Sequence, residues 1–338
     1  TVSVPVNGLG TGTAVYAETS LDISWRIYPG GLEHDYGRGV ALDSTGNCYA
    51  TGSTYSSGWT TGGWDTSHNG GVDGYVVKLD STGETVWSTY LGGSFGEEGT
   101  AIAVDADGGC YVTGWTNSSG WVSNGGDISL NGGIDGFVVK LSSGGAHIWS
   151  TYLGGNADDY AQGIAVDSAG NCCVAGYTES PGWVSGGWDT TYSGLHDGFA
   201  VKLNGAGVSE WSTYLGGTDQ DYGYGIGVDA NGGVYVAGST ESLYWISGGW
   251  DILYGGEGFA DGYVVKFTAT GEHQWSTYLG GTGNDLADSF AVNGNGDCYV
   301  TGSTYSDGWI SGGGNPVRGP GMYAYMMKLD GAGMHQWS

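Results

Sequence analysis

The sequence predicts an all-β protein assembled from five copies of one four-stranded unit. The first observation is a period of about 62 residues, marked by a tryptophan-bearing segment that begins at Trp25, Trp87, Trp149, Trp211, Trp275 and Trp337. The second is that each unit contains four short runs in which apolar and polar residues alternate, the pattern of half-buried strands. The third is that no stretch shows a helical periodicity. Such a period indicates an array whose neighbouring units share a core.

The four runs of one unit follow each other in a fixed order. In residues 37–91 they are Gly39–Asp43, Cys48–Gly52, Gly74–Leu79 and Thr85–Leu91. Short turns with a glycine at a fixed position join the first run to the second and the third to the fourth, because hairpin turns commonly need a residue with positive φ. A long loop, Ser53–Val72, joins the second run to the third. Four consecutive antiparallel strands in each unit predict the blades of a β-propeller.

The repeated residues are similar to those of a known family. The block G-G…D…G-I-A-V-D…G-N-x-Y-V-x-G-x-T, the strand D-G-[FY]-V-V-K-L and the strand W-S-T-Y-L-G-G resemble the bacterial SBBP-type β-propeller repeat family over about residues 25–338. The resemblance implies a β-propeller that is usually extracytoplasmic and often part of a multidomain protein, and it implies no particular reaction. We therefore expect residues 21–338 to form a five-bladed β-propeller of four-stranded antiparallel blades, with residues 1–20 as a lead-in, linker or extra strand.

The number of strand copies makes a prediction about closure of the ring. Each of the first three strands occurs five times, whereas the tryptophan-bearing fourth strand occurs six times. We expect the N-terminal strand around Trp25 to close the ring by completing the last blade, which leaves the strand Met334–Ser338 surplus or in competition for the same place. An unpaired outer strand would permit self-association through the terminal strands.

Composition restricts the partners of the chain. Its 338 residues include 35 Asp and Glu but only 8 Lys and Arg, for a net charge of −27. No nucleic-acid partner is expected, because phosphate contacts need Lys and Arg. No membrane insertion is expected either, because no apolar run reaches about 18 residues. Strong acidity suits an extracellular or cell-surface protein that must stay soluble.

The five cysteines predict no disulfide framework. Four of them occupy one repeat position, and the fifth is Cys173. Equivalent positions in different units should lie farther apart than the roughly 7 Å that a disulfide allows between Cα atoms. We expect these side chains to act as small buried hydrophobes.

Two sets of tryptophans in the long loops are the candidate ligand-binding residues. The first set, one per unit, is Trp59, Trp121, Trp183, Trp245 and Trp309, and the second, in three G-G-W-D segments, is Trp64, Trp188 and Trp250. Loops on a rigid scaffold are common binding sites. Aromatic faces beside Asp and Asn suit sugars, whose C–H groups pack on the ring while their hydroxyls bind the carboxylate. The alternative is that the tryptophans fold the loops back onto the blades.

A ring of carboxylates is the candidate metal site. It consists of Asp35, Glu97, Asp159, Asp221 and Asp285, each just before the first strand of its unit. Five carboxylates around a channel could hold a hard cation such as Ca²⁺, which takes oxygen ligands. The alternative is that each carboxylate caps its own loop by accepting backbone N–H bonds, or pairs with a repeat lysine. No cofactor is otherwise expected.

The motifs favour a protein that is not an enzyme, with no catalytic residues. Gly92–Gly96 matches G-x-S-x-G but opens no helix, so the context of a nucleophile elbow is missing. We expect a secreted or cell-surface propeller that acts as a multivalent binding or adhesion module, with glycans as the favoured ligands. The alternative is a structural subunit of an extracellular filament or surface layer that assembles by strand exchange at the termini.

Overall fold

The computed structural model describes residues 27–256, 258–311 and 321–338, which form five antiparallel sheets of four strands each. The strands are numbered β1 to β20 in chain order, so each sheet contains four consecutive strands.

The sheets have the following bounds. The first contains β1 (Asp35–Leu42), β2 (Cys48–Thr54), β3 (Asp73–Leu79) and β4 (Thr85–Leu91). The second contains β5 (Glu97–Val104), β6 (Cys110–Thr116), β7 (Asp135–Leu141) and β8 (His147–Leu153). The third contains β9 (Asp159–Val166), β10 (Cys172–Thr178), β11 (Asp197–Leu203) and β12 (Ser209–Leu215). The fourth contains β13 (Asp221–Val228), β14 (Val234–Thr240), β15 (Asp261–Phe267) and β16 (His273–Leu279). The fifth contains β17 (Asp285–Val292), β18 (Cys298–Thr304), β19 (Tyr323–Leu329) and β20 (His335–Trp337).

Each sheet is one blade of a β-propeller. Strand order within every sheet follows chain order, and the first strands pack against each other in the series β1, β5, β9, β13, β17. The predicted fold, an all-β five-bladed propeller of four-stranded antiparallel blades, is confirmed. Because the strands of a blade alternate in direction, the short glycine turns lie at one end of the blades and the long loops lie at the other. We call these ends the turn face and the loop face.

Side chains at the turn face join each blade to the next. The indole N–H of Trp87 and the ammonium of Lys78 both donate to the carbonyl oxygen of Ser143 in the second blade, at 3.0 and 3.1 Å. The hydroxyl of Tyr49 donates to the carbonyl oxygen of Gly108 in the same blade, at 2.9 Å. The repeated tryptophan of the fourth strand therefore binds the neighbouring blade and not only its own.

The same contact recurs at the following junctions. The indole groups of Trp149, Trp211 and Trp275 donate to carbonyl oxygens of the next blade at 2.9, 3.1 and 3.2 Å. Glycine is needed in the turn that receives the ring: Gly145 has a φ of +81°, and a Cβ there would lie 2.7 Å from the Trp87 ring. A larger residue at this position would be strained and would push the two blades apart.

The outer faces of the first and fifth blades lack this packing. Val40 and Leu42 of β1 are 69% and 68% exposed, whereas Ile102, the equivalent of Val40 in the second blade, is 7% exposed because it packs on the first. At the other end, Met326 is 55% exposed, whereas its equivalent Val264 is fully buried. Among the described residues, no packing comparable to that of neighbouring blades joins β17 to β1. Two apolar blade faces are therefore open to solvent.

The expectation that the strand Met334–Ser338 is surplus is corrected. β20 pairs with β19 through Lys328 and Trp337, so the fifth blade has its own fourth strand. The strand around Trp25, which we expected to close the ring, lies outside the described residues, as do residues 1–20.

The outer strands are not open edges along their whole length. The long loop of the first blade runs beside β4, where the backbone N–H groups of Ser88 and Tyr90 donate to the carbonyl oxygens of Thr61 and Asp65, at 2.7 and 2.8 Å. Ser338 donates to Ser311 at 2.9 Å in the same way, even at the end of the fifth blade. Each long loop therefore shields part of its own blade's edge, which limits strand exchange at that edge.

The cysteines behave as expected from the sequence. All five are free, and Cys110, Cys172, Cys173 and Cys298 are buried between strands. Burial in apolar surroundings raises the pKa of the Cys110 thiol to about 12, so this thiol is inert at neutral pH.

The blade junction predicts a position-dependent effect of removing the repeated tryptophan. Trp211→Ala should lower the free energy of unfolding by about 3–5 kcal/mol, the usual cost of truncating a buried tryptophan, because both the packing and the hydrogen bond to the fourth blade are lost. Chemical denaturation measures the change. Trp337→Ala is the matched control. Trp337 occupies the same repeat position, but no blade is described beyond the fifth, so this variant should lose clearly less stability. Equal losses for the two variants would contradict this account of the junction.

Candidate functional site

The first set of loop tryptophans anchors each long loop to its own blade. The indole N–H of Trp59 donates to the hydroxyl of Thr54 at 3.2 Å, and the ring packs edge-on against Tyr75 and Tyr90. The same N–H to threonine bond is made, at 3.0–3.2 Å, by Trp121, Trp183, Trp245 and Trp309. All five rings are partly buried. This arrangement corresponds to the packing alternative, although one edge of a ring still reaches the surface.

The second set reaches across to the next blade. The Trp64 ring stacks on the imidazole of His147 in β8, with ring centroids 4.2 Å apart and an angle of 23° between the planes. Trp188 stacks on His273 at 4.3 Å and Trp250 on His335 at 4.6 Å in the same way. One face of each of these tryptophans is therefore covered by a histidine of the neighbouring blade.

Sequence reasoning missed the Trp–His pairing, although the sequence carries a signal for it. A histidine stands at the start of the fourth strand in each unit that follows a G-G-W-D segment. In the second unit Gly126 replaces the tryptophan, and in the third unit Ser209 replaces the histidine. The two positions change together along the chain, as expected for residues in contact.

The five carboxylates of the predicted acidic ring each bind groups of their own repeat. Glu97 accepts the backbone N–H of Gly93 at 3.0 Å and the hydroxyl of Thr116 at 2.7 Å. The backbone N–H of the same repeat glycine is accepted, at 2.7–3.0 Å, by Asp35, Asp159, Asp221 and Asp285. Within the residues that the structure describes, no three His, Cys, Asp or Glu side chains group as metal ligands. The geometry is that of the capping alternative.

At the blade junctions, a second buried aspartate lies near the capping carboxylate, as Asp135 does near Asp159. Asp135 at the start of β7 accepts the backbone N–H groups of Asn131 and Gly132 at 2.9 and 3.0 Å. Burial raises the pKa of Asp135 to about 6, and the negative charge of Asp159 contributes. Burial likewise raises the pKa of Asp159 to about 6 and that of Asp221 to about 7.

A groove lies on the loop face between the first and second blades. It has a volume of about 420 Å³, and its lining includes Trp64 of the first blade and Trp121 of the second. The polar side chains of Asp65, Asn69 and Ser94 also line it. The structure therefore brings together one tryptophan from each predicted set, from two different blades.

An equivalent groove lies between the second and third blades. Its volume is about 460 Å³, and its lining includes Asp127, Asn131, Asn156 and Trp183, the repeat equivalents of Asp65, Asn69, Ser94 and Trp121. Gly126 takes the place of Trp64. Both volumes fall within the roughly 300–1,000 Å³ that is typical of ligand sites.

The chemistry of the two grooves is the same. Each is lined by an indole, a carboxylate, an amide, and several glycines and serines. None of the described lining residues is Lys or Arg. An uncompensated negative charge on a ligand would be repelled by Asp65 or Asp127. The grooves are therefore suited to neutral, hydroxyl-rich ligands that also offer an apolar face.

Comparison with known proteins identifies the repeat. A family model for the SBBP β-propeller repeat matches residues 25–60, 86–120, 148–182 and 210–244. The chain belongs to the SBBP β-propeller repeat family. The SBBP matches at 86–120, 148–182 and 210–244 each run from the tryptophan-bearing fourth strand of one blade, through the first two strands of the following blade, to the start of its long loop.

Two curated proteins share part of this SBBP chain. The regulatory protein FlaEY of Caulobacter vibrioides is 28% identical over 257 residues, which are 69% of this chain and 26% of FlaEY. The WD repeat-containing protein L264 of Acanthamoeba polyphaga mimivirus is 26% identical over 198 residues, 49% of this chain and 14% of L264. The chain thus spans about a quarter or less of the length of these relatives.

Among solved structures, hydrazine synthase of Kuenenia stuttgartiensis is similar at 11% identity with a TM-score of 0.49, covering 90% of this chain and 66% of that one. In the described part of the SBBP chain, no helix has the length and apolar character needed to cross a membrane.

The buried carboxylates predict that the protein is more stable in mild acid. A raised pKa means that the folded state binds protons more tightly than the unfolded state, so the stability these groups contribute is present at low pH and is lost as the pH rises through about 6 to 7. The buried histidines act oppositely, because burial lowers the pKa of His147 and His273 and protonation of the unfolded chain then opposes folding below about pH 6.5. We expect the carboxylates, which are more numerous, to dominate.

The melting temperature at fixed ionic strength should therefore fall as the pH rises from about 4, the ordinary carboxyl pKa, to about 7. Asp221→Asn should flatten this dependence, because it removes a titrating group that is fully buried. Asp219→Asn, two residues away and exposed, is the matched control and should leave it unchanged. A melting temperature that rises with pH over this interval would contradict the assignment.

Proposed function

We propose that this chain is a non-enzymatic, secreted or cell-surface binding module that presents its interblade grooves to glycans. The observation that carries the proposal is the recurrence of one groove at two consecutive junctions, with tryptophan, carboxylate and amide at the same repeat positions. A single such groove would be an ordinary surface feature. Its repetition on a rigid series of blades provides several sites of one kind at fixed spacing.

The indole and the polar side chains support a sugar ligand for different reasons. The exposed part of the indole offers an apolar surface to the C–H groups of a pyranose. Asp65 and Asn69 offer acceptors and donors to its hydroxyls. Their side chains are already ordered, since the amide of Asn69 donates to the carboxylate of Asp65 at 2.8 Å, so less conformational entropy is lost when a ligand binds.

Repetition of the groove from one blade junction to the next supports a multivalent role. A weak site becomes effective when a second site on the same molecule engages a neighbouring sugar of the same surface. The strong negative charge of the chain, −27, favours neutral over acidic glycans and keeps the protein soluble outside the cell.

The proposal predicts that Trp64→Ala weakens binding of a neutral oligosaccharide in the first groove by about tenfold, the effect of about 1.4 kcal/mol. His147→Ala is the matched control: it removes the same Trp–His stack, but it leaves the indole in the lining of the groove. The two variants should therefore lose similar stability in thermal melts, while only Trp64→Ala loses affinity in calorimetry. No binding of any neutral glycan by the parent protein, on an array and in calorimetry, would reject the proposal.

A second candidate function is that of a structural subunit of a filament or surface layer. The observation that favours it is that one face of each end blade is exposed. The exposed face of the fifth blade is equivalent, by repeat position, to the faces of the first four blades on which the next blade packs. The exposed face of the first blade, with Val40 and Leu42, is equivalent to the faces with which the other blades pack on the blade before them. A second copy could add its first blade to the fifth blade of the first copy. Such a head-to-tail interface forms an open filament when the rotation does not close.

This candidate predicts that the parent protein polymerises in a concentration-dependent way and that Val40→Lys abolishes polymerisation. Val86→Lys is the control, because Val86 is also an exposed valine but lies on the outer strand β4. Sedimentation velocity and negative-stain microscopy read out the assembly. A parent protein that stays monomeric at high micromolar concentration would reject the filament role without affecting the glycan role.

A further inference from the structure

One blade junction differs from the other three by the loss of a stacked ring pair. At the first, third and fourth junctions a tryptophan of the long loop stacks on a histidine of the next blade. At the junction of the second and third blades, Gly126 and Ser209 occupy these two positions. Two aromatic rings are thus missing from one place in the molecule.

The space is refilled only in part, and by backbone: the N–H of Gly126 donates to the carbonyl oxygen of Gly207 in the third blade at 3.0 Å. The cleft of about 460 Å³ at this junction extends from the loop-face groove into the gap between the blades, where Val208 and Ser209 line it. Its lining also includes Val201 and Leu203, which are buried core residues of the third blade. We call this extension the open junction.

We propose that the open junction is a specific site for a single neutral hexopyranoside ring, which enters where the Trp–His stack lies at the other junctions. The inference rests on the proposed glycan function and adds to it the location of the main site, its stoichiometry and the charge class of the sugar.

The lining of the open junction has the two kinds of surface that a pyranose needs. The apolar surface within reach of a ligand consists of Val208, which is 46% exposed, and the half-buried indole of Trp183, whereas Val201 and Leu203 are buried behind it. The C–H face of a sugar ring removes this surface from water, which is favourable in proportion to the area covered.

The polar part of the lining surrounds that apolar surface. Asn131, Asn156 and Ser209 are exposed and Asp127 is half-buried, whereas Ser212 is buried and its hydroxyl already accepts the backbone N–H of Ser185 at 2.8 Å. These groups supply both donors and acceptors for ring hydroxyls. An apolar planar molecule would leave them without partners when it displaced water, at a cost that a sugar avoids.

The charge of the lining selects against acidic sugars. Asp127 is the one charged residue among the described lining residues, and no Lys or Arg lines the cleft to neutralise a carboxylate of the ligand. A uronic acid bound in the open junction would place its carboxylate near that of Asp127, with no cation of the lining to offset the repulsion. The neutral hexopyranoside is therefore the expected ligand class.

The repeat itself supplies variants that close and open the site. Gly126→Trp combined with Ser209→His reproduces the pair present at the other three junctions and should fill the open junction. A Cβ on Gly126 would lie 3.0 Å from the carbonyl oxygen of Gly207 and 3.2 Å from the Cα of Val208, so the Gly207–Val208 backbone must move by a few tenths of an ångström to admit the tryptophan. Trp64→Gly combined with His147→Ser makes the reverse change at the first junction and should create a second open junction.

Calorimetry and saturation-transfer NMR with methyl hexopyranosides test the proposal. The parent protein should bind one neutral hexopyranoside tightly per chain, at the open junction, in addition to the weaker groove sites of the proposed function. G126W/S209H should weaken the tight binding at least tenfold, and W64G/H147S should raise the number of tight sites from one to two. The reverse variant keeps the test decisive if G126W/S209H does not fold. Methyl glucuronide should bind at least tenfold more weakly than methyl glucoside, and indole should not compete.

The outcomes separate this inference from the proposed function. The open junction would be overturned as the site if hexopyranoside binding were unchanged in G126W/S209H and the stoichiometry were unchanged in W64G/H147S. Even then, weaker oligosaccharide binding by Trp64→Ala would support the grooves of the proposed function. Equal affinity for the glucuronide, or preferential binding of indole, would overturn the ligand class. Failure of all neutral sugars, as monosaccharide or oligosaccharide, would reject the proposed function together with the inference.

Discussion

The structure depends on one carbonyl oxygen at each blade junction. At the first junction the Ser143 carbonyl accepts from the Trp87 indole and from the Lys78 ammonium, and the ammonium also lies 4.8 Å from the centroid of the Tyr49 ring. A buried ammonium is tolerable because it is hydrogen-bonded and lies over an aromatic face. The receiving turn must be tight and must contain glycine, which explains why both the tryptophan strand and the glycine turns recur with the same period.

This junction also determines where ligands can bind. Because neighbouring blades are fixed to each other at the turn face, they present a gap of defined width at the loop face, and the long loops line it. The repeat varies between the blades without disturbing this contact: a Trp–His stack crosses three of the four junctions, whereas Gly126 and Ser209 take these two positions between the second and third blades. Ligand specificity can thus arise by loss of the Trp–His pair at one junction, while the tryptophan contacts at the turn face still hold the blades together.

The sequence was sufficient to predict the blades but not the course of the long loops. Alternation and turn glycines locate all four strands of a blade, since they reflect burial and φ, which are local properties. The loop from Tyr55 to Val72 has no alternation, so its return along β4 and the stacking of Trp64 on His147 depend on tertiary contacts. The acidic positions were found, and Glu97 takes the capping role because a glycine N–H and a threonine hydroxyl lie within reach. The fate of Met334–Ser338 was misjudged because counting strands cannot show which strand pairs with β19.

The central claim is that the repeated tryptophans hold one blade to the next. Hydrogen exchange of the indole N–H groups, followed by NMR and assigned with single Trp→Phe variants, tests it most directly. The account predicts strong and similar protection for Trp87, Trp149, Trp211 and Trp275, whose N–H groups donate to the following blade, and clearly faster exchange for Trp337 at the end of the fifth. Rapid exchange of all five groups would show that the blades are not joined in this way and would contradict the account.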